Sequence, residues 1–142
     1  MADRVFRLLI IEDDRARIEQ ITSWLPPGMK TVVAPSAGTA LGILQRDRGT
    51  VYSGIMLDHD LQGRARTEQD KTLSGSDLID VIIRNVSVDV PILIHSMNPA
   101  GASVMVERLE GAGFSVERIP MLSLTKDLLS NWLDEVRSVW ED

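Results

Sequence analysis

The chain has 142 residues, 44% hydrophobic and 25% charged, which suits one globular domain and is too apolar for a disordered segment. Fifteen Lys and Arg against 21 Asp and Glu give a formal charge of −6, so direct DNA binding through a basic surface is not expected. With no cysteine, disulfide frameworks, thiolate nucleophiles and Cys-built zinc sites are excluded, and no apolar run approaches the ~18 residues of a membrane span.

In chain order, apolar bursts alternate with helical periodicity. Val5–Ile11 is a short run rich in branched residues and reads as a strand buried on both faces. After Glu12-Asp13-Asp14 a helix carries Ile18, Ile21, Trp24 and Leu25 at three- and four-residue spacing, and Pro26-Pro27-Gly28 stops it. Lys30–Ala34 is a second strand. Ser36 caps a helix with Ala37, Ala40, Leu41 and Leu44 inward. Val51–Leu57 is a third strand, running into Asp58-His59-Asp60. Residues 62–74 form a long polar loop, whose length in a compact domain points to function or mobility. Its Arg64, Arg66 and Lys71 could reach over a neighbouring pocket.

Ser74 or Ser76 then caps a helix bearing Leu78, Ile79, Ile82 and Ile83. Val90–His95 is a fourth strand, with Pro91 near its start where a lost N–H matters least. Asn98-Pro99 has the form of an N-cap and a first-turn proline, opening a helix with Val104, Met105, Arg108 and Leu109. Gly111 and Gly113 end it. Phe114–Ile119 is a fifth strand, marked as an edge by Glu117 and Arg118. A last helix over about Ser123–Trp140 places Leu124, Leu128, Trp132, Val136 and Val139 on one stripe. The three tryptophans, Trp24, Trp132 and Trp140, fall in helical patterns and are expected in the core, with Trp140 also a candidate marker of a homodimer surface.

Five strands alternating with five helices predict an α/β domain over residues 1–142: a doubly wound, flavodoxin-like parallel sheet of order 2-1-3-4-5 with helices on both faces. In such sheets ligands bind at the carboxyl ends of the strands, where this chain gathers its polar residues. Asp13, Asp14 and Asp58 are expected to converge there. Clustered carboxylates stay ionised together around a hard divalent cation such as Mg²⁺ or Mn²⁺. The Ser96 hydroxyl and the N–H groups at the helix start after Asn98 would favour a phosphoryl anion.

These residues resemble a response-regulator receiver domain. The matching features are the acidic pair Asp13-Asp14, Asp58 at the third strand end, Ser96 at the fourth and Pro120 after the fifth. The resemblance implies Asp58 as phosphoacceptor, Asp13, Asp14, Asp58 and the Asp60 carbonyl as Mg²⁺ ligands, and Ser96 as a switch hydroxyl. Two departures stand out. Ile119 occupies the position before the proline where a receiver has Lys. Arg118, one residue earlier on the strand, should face the other way. Secondly, 17 positions separate Asp58 from Gly75, a longer loop than receivers usually have.

The chain's two histidines, His59 and His95, both fall at strand ends. The strings Leu-Asp-His-Asp-Leu and Ile-His-Ser-Met-Asn-Pro-Ala-Gly resemble the cyclic-phosphate-processing receivers. That resemblance implies a metal-dependent phosphoesterase with Asp58, His59, His95, Ser96 and Asn98 as catalytic candidates and a cyclic-phosphate substrate. The alternative is a stand-alone receiver phosphorylated on Asp58 by a partner kinase in a two-component phosphorelay. Strand alternation leaves open whether either imidazole faces the pocket. No signal peptide is visible at Met1–Arg4, so a cytoplasmic protein without membrane attachment is expected.

Overall fold

The computed structural model describes residues 6–61 and 75–141. Its elements run β1 (Arg7–Ile11), α1 (Arg15–Trp24), β2 (Lys30–Ala34), α2 (Ala37–Arg46), β3 (Gly54–Leu57), α3 (Gly75–Asn85), β4 (Ile92–Ile94), α4 (Pro99–Gly111), β5 (Val116–Arg118) and α5 (Lys126–Glu141). All strand pairs are parallel, in the order β2-β1-β3-β4-β5. This is the doubly wound sheet expected from the sequence, with β5 at an edge. No described helix is long and apolar enough to cross a membrane.

Strand alternation splits the core in two. Leu9, Ile11, Ile55, Leu57, Ile92 and Ile94 face the α2, α3 and α4 side. Leu8, Ile10, Met56 and Leu93 face α1 and α5, where Ile21, Leu129, Trp132, Leu133 and Val136 meet them. Gly54 lets α5 approach: a Cβ there would lie 3.1 Å from the Trp132 ring and 3.2 Å from Val136.

The last helix differs from its expected form. It begins at Lys126, after turns, and buries Leu129 and Leu133, while Leu128 and Val139 are 39% and 43% exposed. Two leucines stand side by side at 128–129, and the later start selects the second. Val104 of α4 is likewise exposed, with Ala102, Met105 and Leu109 facing inward. Strand β3 is shorter than expected because Ser53 bonds Arg7 in another way: the Ser53 N–H donates to the Arg7 carbonyl, and the Arg7 N–H donates to Ser53 Oγ. Trp132 is buried. Trp24 and Trp140 are half-buried, and Trp140 packs edge-on against Phe6 at 6.1 Å. The polar loop at 62–74, with Arg64, Arg66 and Lys71, and the side chain capping α3 lie outside the described residues.

Candidate phosphoryl and metal site

The sheet register builds the site. Ile11, Leu57, Ile94 and Arg118 lie on one rung. One residue further on, Glu12, Asp58, His95 and Ile119 form the next row, and alternation turns that row towards the α1/α5 face. Glu12, Asp58 and His95 are all buried, at 0%, 1% and 0% exposure. Among the described residues, one group could hold a metal ion: oxygens of Glu12, Asp13 and Asp58 lie within 4.8 Å of one another.

Glu12 is the residue sequence reasoning passed over, because the triplet Glu12-Asp13-Asp14 was divided one position late. The end of the apolar run is legible in the sequence, but which of the three carboxylates turns inward is set by the strand register. Glu12 follows the β1 apolar run as Asp58 follows β3. Asp14 lies outside the group. Its Oδ1 accepts the Arg17 N–H at 3.1 Å and caps α1. The Asp60 side chain is bound to His59, so the ligand role expected of Asp60 rests on its carbonyl.

Glu12 is held from several sides. His95 Nε2 lies 3.0 Å from Oε1, and the Asp14 N–H donates to Oε2 at 3.0 Å. Burial alone would raise its pKa, but the hydrogen bond and attraction of His95, with the Asp14 N–H and Asp13, hold it below the ordinary carboxylate value. Asp58 goes the other way. Burial first, and the neighbouring Glu12 charge second, push it up to about 6, against the weaker pull of His95, the His59 N–H and Arg17. Its Oδ1 accepts the His59 N–H at 2.8 Å, whereas Oδ2 is buried with no hydrogen-bond partner. A buried orphan carboxylate oxygen is costly, and a cation among these three groups would relieve it. The donor set is all oxygen and anionic, which suits Mg²⁺ or Mn²⁺.

The two histidines take different places. His95 is sealed behind Glu12, with Nδ1 buried and unpartnered. His59 turns the other way, over the start of α4. Its Nδ1 lies 2.8 Å from Asp60 Oδ1, and Asn98 Nδ2 lies 3.4 Å from both. A proton on Nδ1, donated to Asp60, leaves Nε2 as an acceptor. Asn98 also caps α4 as expected, accepting the Gly101 N–H at 3.0 Å. The Ser96 hydroxyl is buried and accepts the Asn98 N–H at 3.0 Å.

Gly101 is the seat of the His59 ring. A Cβ on it would stand 2.5–2.7 Å from three ring atoms. Gly→Ala inside a helix ordinarily stabilises by roughly 0.5–1 kcal/mol. Here Gly101→Ala is expected to destabilise the wild type, yet to stabilise a His59→Ala protein by about that amount. Denaturant melts of the four proteins check this, and the same sign in both backgrounds would rule the seat out.

The departure at the fifth strand is also resolved. Ile119 is buried in the α1/α5-side core. Arg118 faces the opposite side, where its Nη2 donates to the Ser96 carbonyl at 3.1 Å.

A family model for the cyclic-phosphate processing receiver domain matches residues 7–111. No curated protein matches the chain. Among solved structures it is similar to a CheY-like response regulator receiver domain protein from Methanospirillum hungatei JF-1, at 16% identity over 96% of this chain and 98% of that one, with TM-score 0.68. It is similar also to the N-terminal domain of a response regulator/sensory box/GGDEF 3-domain protein from Carboxydothermus hydrogenoformans, at 18% over 95% and 96%, with TM-score 0.66. The response regulator domain of Thermotoga maritima CheB is 17% identical over 98% of both chains, with TM-score 0.64. At these identities the solved structures speak for the fold alone.

Proposed function

The chain belongs to the cyclic-phosphate processing receiver domain family, and from that membership we propose that it is a Mg²⁺- or Mn²⁺-dependent phosphoesterase opening cyclic phosphate ends. The observation that carries this reading is the buried Asp58 Oδ2, which accepts no hydrogen bond, within the Glu12–Asp13–Asp58 group. Those three residues would hold the cation, which when bound offsets negative charge on the phosphoryl oxygens. His59, oriented by Asp60 and Asn98, is the general acid–base candidate: Nε2 takes a proton from the attacking water as its oxygen bonds phosphorus, one ribose P–O bond breaks, and that proton is returned to the departing ribose oxygen, which leaves as a hydroxyl. A base held by a carboxylate partner and seated on a helix start needs little reorganisation.

The test is hydrolysis of a 2′,3′-cyclic nucleotide with Mg²⁺ or Mn²⁺. Wild type should turn over, His59→Ala should lose roughly 10²-fold or more, and Asp58→Asn should be inactive. A wild type silent with both metals ends the reading for that substrate.

A second reading has its own support. Asp58 Oδ2, at a strand end and accepting no hydrogen bond, is also a candidate nucleophile: its bond to phosphorus would form as the donor's own bond to that phosphorus breaks, in which case a kinase would be the partner. A small phosphodonor with Mg²⁺ should then give an acid-stable, hydroxylamine-labile label on wild type and none on Asp58→Asn.

A further inference from the structure

A site for a phosphoryl anion built from three carboxylates needs a cation besides the metal, and the position where a receiver carries Lys holds buried Ile119. Resting on the phosphoryl-site reading above, we propose that Arg17 of α1 supplies that charge from the opposite wall.

Three observations carry this. Arg17 Nη1 lies 3.7 Å from Asp58 Oδ2, the orphan oxygen, and 3.8 Å from Glu12 Oε1. Among the described residues, no other Lys or Arg forms an ion pair with either carboxylate. Both distances exceed a hydrogen bond. The guanidinium therefore hovers over the pair rather than being locked to it, with its side chain one-third exposed. Its planar fork matches two phosphoryl oxygens.

Arg118, the other candidate, is committed elsewhere. It lines a cavity of about 410 Å³ beside Glu107 and Glu110 of α4, on the far face of the sheet. Asp14 also acquires a role: by capping α1 on the Arg17 N–H, it fixes the turn from which the guanidinium reaches back. Asp14 is thus a positioning residue for Arg17.

The discriminating property is that Arg17 should act with opposite sign on the two ligands. It repels the metal and attracts the anion. Calorimetry with Mg²⁺ alone, then with beryllofluoride at saturating Mg²⁺, separates the two. Arg17→Ala should bind Mg²⁺ about threefold more tightly and beryllofluoride about tenfold more weakly. Arg17→Lys should fall between, and Arg118→Ala should match wild type.

Beryllofluoride binding unchanged in Arg17→Ala overturns the proposal. So does an equal loss for both ligands, the mark of a merely structural residue. A wild type that takes Mg²⁺ but never beryllofluoride overturns the phosphoryl reading itself, and the Arg17 proposal with it.

Discussion

Replacing Asp58 by Asn is expected to raise the melting temperature of chelator-treated protein at pH 8 by about 5–8 °C, from a stability gain on the order of 2 kcal/mol. The reasoning starts from desolvation. The Asp58 carboxylate is 1% exposed, leaves one oxygen without a hydrogen bond, and faces Glu12, so its pKa in the fold rises to about 6 from an ordinary value of 3.8. A raised carboxylate means that the fold binds this proton more tightly than the unfolded chain. Below about 3.8 both states are protonated and Asp58 contributes no penalty. Between there and about 6 the unfolded chain releases its proton first, so stability falls with pH. Above about 6 the loss is complete, and Asn, which carries no charge, escapes it. The gap between variant and wild type should therefore vanish by pH 4. Glu12 works oppositely: its lowered pKa adds stability above its ordinary value, lost as pH falls. It is present in both proteins and largely cancels. Thermal melts across pH 4–8 measure the effect. Added Mg²⁺ should raise the wild type and hardly move Asp58→Asn, because a cation stabilises only the fold that binds it. A variant less stable than wild type at pH 8 would show that the Asp58 charge is already compensated.

Such an effect marks a site where stability is given up for function, and its location could be read from the sequence. Each apolar run ends abruptly in a polar residue: Ile11 into Glu12, Leu57 into Asp58, Ile94 into His95. The Asn98-Pro99 cap was equally legible, because its chemistry is local. The division of labour within Glu12-Asp13-Asp14 was not. It depends on which residue stands one rung past Ile11 opposite Leu57, and register is a property of the pairing. The same counting decides between Ile119 and Arg118, and there alternation alone sufficed. Arg17 is not legible in the sequence, because an Arg on the first turn of a helix has the pattern of an ordinary solvated charge. Only the closure of α1 onto the β1–β3 ends brings it over the carboxylates. His59 and His95 were indistinguishable in sequence. Parity sends one over α4 and the other behind Glu12.

That difference gives the second large effect. His95→Leu is expected to destabilise the metal-free protein by about 3 kcal/mol at pH 8, since removing one member of a fully buried pair strands the other. Glu12 would retain the Asp14 N–H at 3.0 Å, its contact with Asp13, and Arg17 at 3.8 Å. Adding Glu12→Gln removes the stranded charge, and the double variant should recover about 1–2 kcal/mol of the loss. The pair also distinguishes positioning from direct chemistry. Among the described residues His95 is fully buried with Nε2 turned to Glu12, the place of a positioning residue. It orients a carboxylate that would hold the cation, as outer partners of metal ligands do. Mg²⁺ affinity should then fall about tenfold in His95→Leu, while turnover at saturating metal stays within a few-fold of wild type. His59→Ala should show the reverse, with metal affinity kept and turnover lost. If His95→Leu keeps its Mg²⁺ affinity and loses turnover, the buried imidazole must swing out to the substrate, and its place behind Glu12 is a resting position.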